Sequence, residues 1–210
     1  MLCTALRSAV AAAAVLAAST ALASTNLIGD GDFSTPNQNG SWTVYSPGIN
    51  GWTSTIGDGV EIGYSPIYGL PTDNPGGQNL ELNANTYGTD SYTVTGLVVG
   101  DTYDLSWDYG GRTSGGPSSA TVSFGGVVLA DDSGSIGTWT PNMFKIVATS
   151  TSEDLVLTAA PTGTPSYGNE FTNFTLTAIP EASTWAMMGL GFAGLAFAGY
   201  RTRRTRISIV

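Results

Sequence analysis

Histidine is missing from this 210-residue chain, and cysteine occurs once, as Cys3. Without an imidazole base, Ser-His-Asp and Cys-His nucleophilic catalysis is excluded, and most zinc and copper sites lose their usual ligands. Basic residues are scarce as well. Between residues 24 and 179 only Arg112 and Lys145 stand against fifteen acids, a net charge of about −13. A surface of that sign excludes nucleic acid as a partner and is repelled by an anionic membrane face. The charged residues that favour long helices are also few, since Asp, Glu, Lys and Arg make up 11% of the chain.

What is present begins with a leader. Residues 1–23 carry Arg7, an Ala/Val/Leu run and Ala21-Leu22-Ala23 ahead of Ser24. This reads as a secretory signal peptide cut after Ala23. The cut removes Cys3, so the mature protein has no thiol and no disulfide. Export normally permits disulfides, and this fold must therefore rest on core burial alone or on a metal.

Residues 24–179 are one domain's length. Their pattern is all-β. Tyr103, Leu105, Trp107 and Tyr109 alternate with Asp104, Ser106 and Asp108, and Val60, Ile62 and Tyr64 alternate likewise. Ser91–Val99 reads as one strand. Val122 and Phe124 run into Gly125-Gly126 and then Val127-Val128-Leu129, a hairpin with a two-glycine turn. Short strands between Gly, Asn, Asp and Pro turns predict a single antiparallel β-sandwich, or jelly roll.

Several residues in this body carry chemistry. Calcium takes six to eight oxygens. Asp30 and Asp32 near the first strand and Glu170 near the last are the candidate ligands for a structural calcium, because the two ends of a jelly roll can meet. Sugar binding needs aromatic faces and planar hydrogen-bonding groups. Arg112, Trp52 and Tyr64 are the candidates, with Arg112 in the Gly110-Gly111-Arg112-Thr113 loop. The competing expectations are a structural ion pair for Arg112 and a core position for Trp52. A hydrolase using two carboxylates and a structural surface protein without a small ligand are the rival functions.

The tail has a different composition. Pro180-Glu181-Ala182-Ser183-Thr184-Trp185 is followed by an apolar stretch to Tyr200 and then by Arg201, Arg203, Arg204 and Arg206. Residues 182–200 hold no charge. As a helix rising about 1.5 Å per residue they reach roughly 28 Å, near the hydrocarbon thickness of a bilayer. The arginines then mark a cytoplasmic end. A transmembrane helix over 182–200 with a basic stop at 201–206 is therefore expected.

The tail resembles the PEP-CTERM sorting signal of Gram-negative bacteria, with Ala182 in place of the usual second proline. That resemblance implies residues 180–206 as a sorting signal, an exosortase as processing partner, membrane association through the tail helix before processing, and delivery to the cell surface or extracellular matrix. The body resembles galactose-binding-like jelly rolls, including carbohydrate-binding modules and the DUF642 type. The likeness lies in Asn26–Ser34, Gly51-Trp52, Gly77–Asn83, Tyr103–Tyr109 with Arg112 beyond, and Asn173–Leu176. It implies a non-enzymatic role in binding extracellular polysaccharide, or in matrix or adhesion. Ser34 and Thr172 depart from the acids such domains often place at a structural calcium.

Overall fold

A computed structural model describes residues 25–56, 59–72, 77–180 and 182–204. The leader expected over residues 1–23 lies outside the described residues. Ser24–Ile179 forms one compact unit, and Pro180–Val210 belongs to another.

The described residues of the body hold twelve strands: β1 Trp42–Tyr45, β2 Gly48–Ile49, β3 Trp52–Ile56, β4 Val60–Tyr64, β5 Gln78–Glu81, β6 Thr89–Thr95, β7 Thr102–Gly110, β8 Ser119–Phe124, β9 Val127–Ser133, β10 Trp139–Val147, β11 Ser152–Ala159 and β12 Glu170–Ala178. They form two six-stranded sheets, ordered β1-β4-β5-β12-β7-β10 and β2-β3-β6-β11-β8-β9. Every strand ladder is antiparallel. The expected antiparallel β-sandwich is thus the fold.

The period of two decides which side chains meet between the sheets. Along β7, Tyr103, Leu105, Trp107 and Tyr109 are buried, while Asp104, Ser106 and Asp108 face outward and are half-buried. Leu80, Val122, Leu155, Leu157 and Leu176 are fully enclosed in the same core. Each such side chain contributes about 1.5–3 kcal/mol of burial, which is how a domain without disulfides holds together. Aromatic rings fill the middle. Trp52 lies 5.1 Å from Phe174 and 5.4 Å from Phe33, and Trp107 stacks on Phe144 at 5.3 Å.

The opening segment forms no strand, but it is tied to the last one. The Leu27 amide donates to the Leu176 carbonyl at 2.9 Å, and Asn26 Oδ1 accepts from the Leu176 amide at 2.8 Å. The two ends of the body therefore meet, as the sequence leads one to expect. The Gly125-Gly126 hairpin also forms, with φ of 56° and 80°. Both values suit the tight turn whose twist matches a right-twisted strand pair, and only glycine adopts them freely. The strand expected over Ser91–Val99 ends early, at Thr95: Gly96 turns the chain at φ 82°, and Val98 and Val99 are exposed.

In the tail, helix α1 spans Ala182–Arg204. Its Met187, Leu190, Phe192, Leu195 and Phe197 side chains are exposed. The helix occupies the expected position. Among the described residues no helix is long and apolar enough to cross a membrane.

Candidate functional site

Two constructions occupy the outer face of the β1-β4-β5-β12-β7-β10 sheet. The first is a buried carboxylate cluster. Glu61 on β4 pairs in register with Glu81 on β5, and Glu81 pairs with Glu170 on β12. Their sequence neighbours Val60, Ile62, Leu80, Leu82 and Phe171 point into the core, so the three carboxylates point the opposite way, side by side. They are nevertheless enclosed, at 5%, 0% and 0% exposure. The chain folds back over them as a 3₁₀ turn, Ser65–Tyr68. Glycine at 63 makes this possible, since a Cβ there would lie 2.0 Å from Tyr68 Oη.

Each carboxylate is hydrogen-bonded. Tyr68 Oη donates to Glu61 Oε1 at 2.6 Å, Gly168 N donates to Glu81 Oε1 at 3.0 Å, and Asn79 Nδ2 donates to Glu170 Oε2. Arg112 Nη1 donates to Glu81 Oε2 at 2.9 Å. Its guanidinium sits between the rings of Tyr68 and Tyr167, 4.7 and 4.3 Å from their centroids. One guanidinium cannot neutralise three carboxylates. Burial, and then the neighbouring Glu61, push Glu81 up to about 8. Burial likewise raises Glu61, and raises Glu170 well above the usual carboxylate range. Glu61 faces Glu81 in the β4–β5 register, and its charge adds to the rise of Glu81.

The second construction is a cleft of about 810 Å³ over β7, β12 and β10. Its floor carries Ser106 and Asp108 from β7 and Asn173 and Thr175 from β12. One wall is the Asp30-Gly31-Asp32 turn, and the other is Pro141-Asn142-Met143 of β10. A bulge shapes the floor. The β12–β7 register shifts between Thr172 and Thr175, and Asn173 takes φ 56°. The shift keeps Phe174 in the core while Asn173 Nδ2 donates to Asp108 Oδ2 at 2.7 Å. Beside them the Ser106 and Thr175 hydroxyls share a hydrogen bond of 2.7 Å.

The walls are braced from behind. Asn50 Nδ2 donates to Asp30 Oδ2 at 2.6 Å, and Asp32 Oδ1 accepts from the Ser34 amide at 3.2 Å. Asp132 on β9 accepts from Trp107 Nε1 at 2.9 Å and from Asn142 Nδ2 at 3.1 Å. Chemically the cleft is a set of hydrogen-bond acceptors and hydroxyls beside the apolar Met143, which is 70% exposed.

The residues singled out from sequence are distributed differently from the expectation. Arg112 belongs to the carboxylate cluster, in the ion pair that was the competing reading for it. Trp52 is 1% exposed and packed among Phe33, Tyr92 and Phe174, so it has no face open to a ligand. Tyr64 ends β4, half-buried, paired with Gln78. None of the three lines the cleft. Asp30 and Asp32 do line it, but Glu170 is held among Asn79, Glu81 and Arg112 instead. Among the described residues no group of three or more His, Cys, Asp or Glu is placed to hold a metal ion. The candidate calcium trio is therefore not brought together.

Of the tail residues, Pro180 is exposed, residues 182–185 open helix α1, and Arg201, Arg203 and Arg204 close it; Glu181 and Arg206 lie outside the described residues. Sequence reasoning missed Asp108, Asn142, Asn173 and Thr175. The alternation along Tyr103–Tyr109 marks Asp108 as outward-facing, whereas a one-residue bulge leaves no signal in a single sequence.

Comparison with known proteins adds the following. The chain is 31% identical over 138 residues to halomucin of Haloquadratum walsbyi (strain DSM 16790 / HBSQ001), a match over 65% of this chain. The chain spans only about 1% of that relative's length. Among solved structures it is similar to the enzymatically active domain of bacteriophage CBA120 tailspike protein 4, at 14% identity and TM-score 0.45, over 73% of this chain and 21% of that one. It is also similar to the CBM22-1 xylan-binding domain from Paenibacillus barcinonensis Xyn10C, at 14% identity and TM-score 0.42, over 67% of this chain and 94% of that one. Residues 178–204 match the PEP-CTERM protein-sorting motif, and the chain is thereby an exported, surface-directed protein.

Proposed function

We propose that this is a cell-surface or extracellular-matrix protein that binds polysaccharide without transforming it. The observation that carries this reading is the open cleft on the outer face of the first sheet. Its lining of carboxylates, amides and hydroxyls beside the apolar Met143 suits the alternating hydroxyl and C–H faces of a sugar chain. The acidic body favours neutral over anionic polysaccharides. An exosortase-type enzyme processes the tail at Pro180–Trp185 and frees the body for the surface or the matrix.

A non-catalytic role is supported by the carboxylates themselves. Glycosidases of the two-carboxylate type hold their acids about 5–9.5 Å apart, with room for substrate between them. Glu61 and Glu81 stand side by side in register, enclosed beneath Tyr68 and Arg112 with no room for substrate between them. Affinity electrophoresis of the full chain through a panel of neutral polysaccharides tests the reading. Retardation by at least one of them, relieved by Asp108→Ala, is expected. Free migration through the whole panel overturns it.

A further inference from the structure

We infer that the cleft selects glycans bearing free amino groups, with Asp108, oriented by Asn173, as the anchor for the ammonium; the inference rests on the polysaccharide-binding reading of the same cleft. Three observations lead to it. Among the described residues the charged groups lining the cleft are Asp30, Asp32 and Asp108, and no Lys or Arg lines it. The two bases of the body are engaged elsewhere, Arg112 with Glu81 at 2.9 Å and Lys145 with Asp104 at 3.1 Å. The floor is built to hold a carboxylate in one orientation: the bulge at Asn173 brings its amide to Asp108 Oδ2 and leaves Asp108 Oδ1 for a ligand.

The chemistry follows from these contacts. Asn173 is neutral, so its hydrogen bond orients the Asp108 carboxylate without cancelling the charge. On the wall, burial raises Asp30 from its ordinary value, with Asp32 adding to the rise and the Asn50 hydrogen bond opposing it. A cation entering the cleft is favoured by both carboxylates, and an anion is opposed by them. The Ser106–Thr175 hydroxyl pair lies within the same lining, where sugar hydroxyls can be donors or acceptors. An ammonium on a sugar ring therefore meets charge and hydroxyl recognition together. Among the described residues a bare metal cation meets no group of three His, Cys, Asp or Glu placed to hold it.

The test compares two probes on the full chain by isothermal titration calorimetry: a glucosamine hexamer and its fully N-acetylated counterpart. The amine form is expected to bind about tenfold more tightly, the increment of one charge-assisted hydrogen bond. That preference shrinks as salt is raised and is lost in Asp108→Asn, whose amide oxygen still accepts from Asn173. Asp30→Asn, on the other wall, reduces it in part, and Lys145→Gln, outside the cleft, leaves it intact. Equal binding of the two hexamers, or tighter binding of the acetylated one, overturns the amine selectivity and leaves the polysaccharide reading standing. Binding of neither hexamer also overturns it, and the polysaccharide reading then falls only if the neutral panel fails as well.

Discussion

Arg112 donates to Glu81 at 2.9 Å across the outer face of the first sheet, and this one guanidinium serves a cluster of three enclosed glutamates. The pair joins the loop after β7 to the end of β5, and Tyr68 and Tyr167 close over it. Removing Arg112 leaves the enclosed Glu81 without its donor and opens the space between the two rings, which costs about 1–3 kcal/mol. Arg112→Ala is therefore expected to lower the denaturant midpoint of the body sharply without touching the cleft. A midpoint within error of the parent would mean that Arg112 is not holding the loops.

The same cluster makes stability depend on pH. Glu81 is raised to about 8 in the folded protein, against an ordinary glutamate value of 4.5 when unfolded. Its protonated form is thus favoured by folding, so the contribution is complete below about pH 4.5 and is lost as pH rises through 8. Glu61 and Glu170 shift the same way. Thermal melts of the full chain are expected to show a higher Tm at pH 5 than at pH 8.5. In Glu81→Gln that difference shrinks. A Tm that rises from pH 5 to pH 8.5 contradicts this assignment of protons.

Asp90 is a second buried carboxylate, on the inner side of β6, and burial outweighs the help of Ser54 to push it up to about 7. Folding the ionised form is costly. Asp90→Asn is expected to stabilise the body by about 1 kcal/mol at pH 8.5 and to change little at pH 5. Urea unfolding at the two pH values distinguishes these. Equal effects at both would place the cost elsewhere.

Trp52 separates core from ligand site. Truncating it to alanine empties a ring-sized space among Phe33, Tyr92 and Phe174 and should cost about 3–5 kcal/mol. Trp52→Phe keeps most of the packing and is expected to leave polysaccharide retardation unchanged. Loss of binding in a Trp52→Phe protein that still melts cooperatively would return Trp52 to the ligand surface.

The parts of the fold that were legible from sequence share one property: they depend on local pattern. The alternation along Tyr103–Tyr109, the Gly125-Gly126 turn and the tail motif each show themselves within ten residues. The carboxylate cluster does not, because Glu61, Glu81 and Glu170 meet only once β4, β5 and β12 are laid side by side in register. The cleft was half-visible. Asp30 and Asp32 were singled out for their residue type, but their companion proved to be Asp108 rather than Glu170, and what decides that is the extra residue at Asn173. Arg112 stood out as a rare base in an acidic body. That rarity marked a structural counter-charge, since an enclosed acidic cluster needs at least one.

The central claim is that ligands meet this protein in the cleft over β7, β12 and β10. The most direct test is an NMR titration of the isotope-labelled full chain with a polysaccharide that retards it. The amide signals of Ser106, Asp108, Asn142, Asn173 and Thr175 are predicted to shift together and to saturate at one affinity. Shifts confined to the Val127-Val128 edge or to Trp42, with those five signals unmoved, would contradict the account.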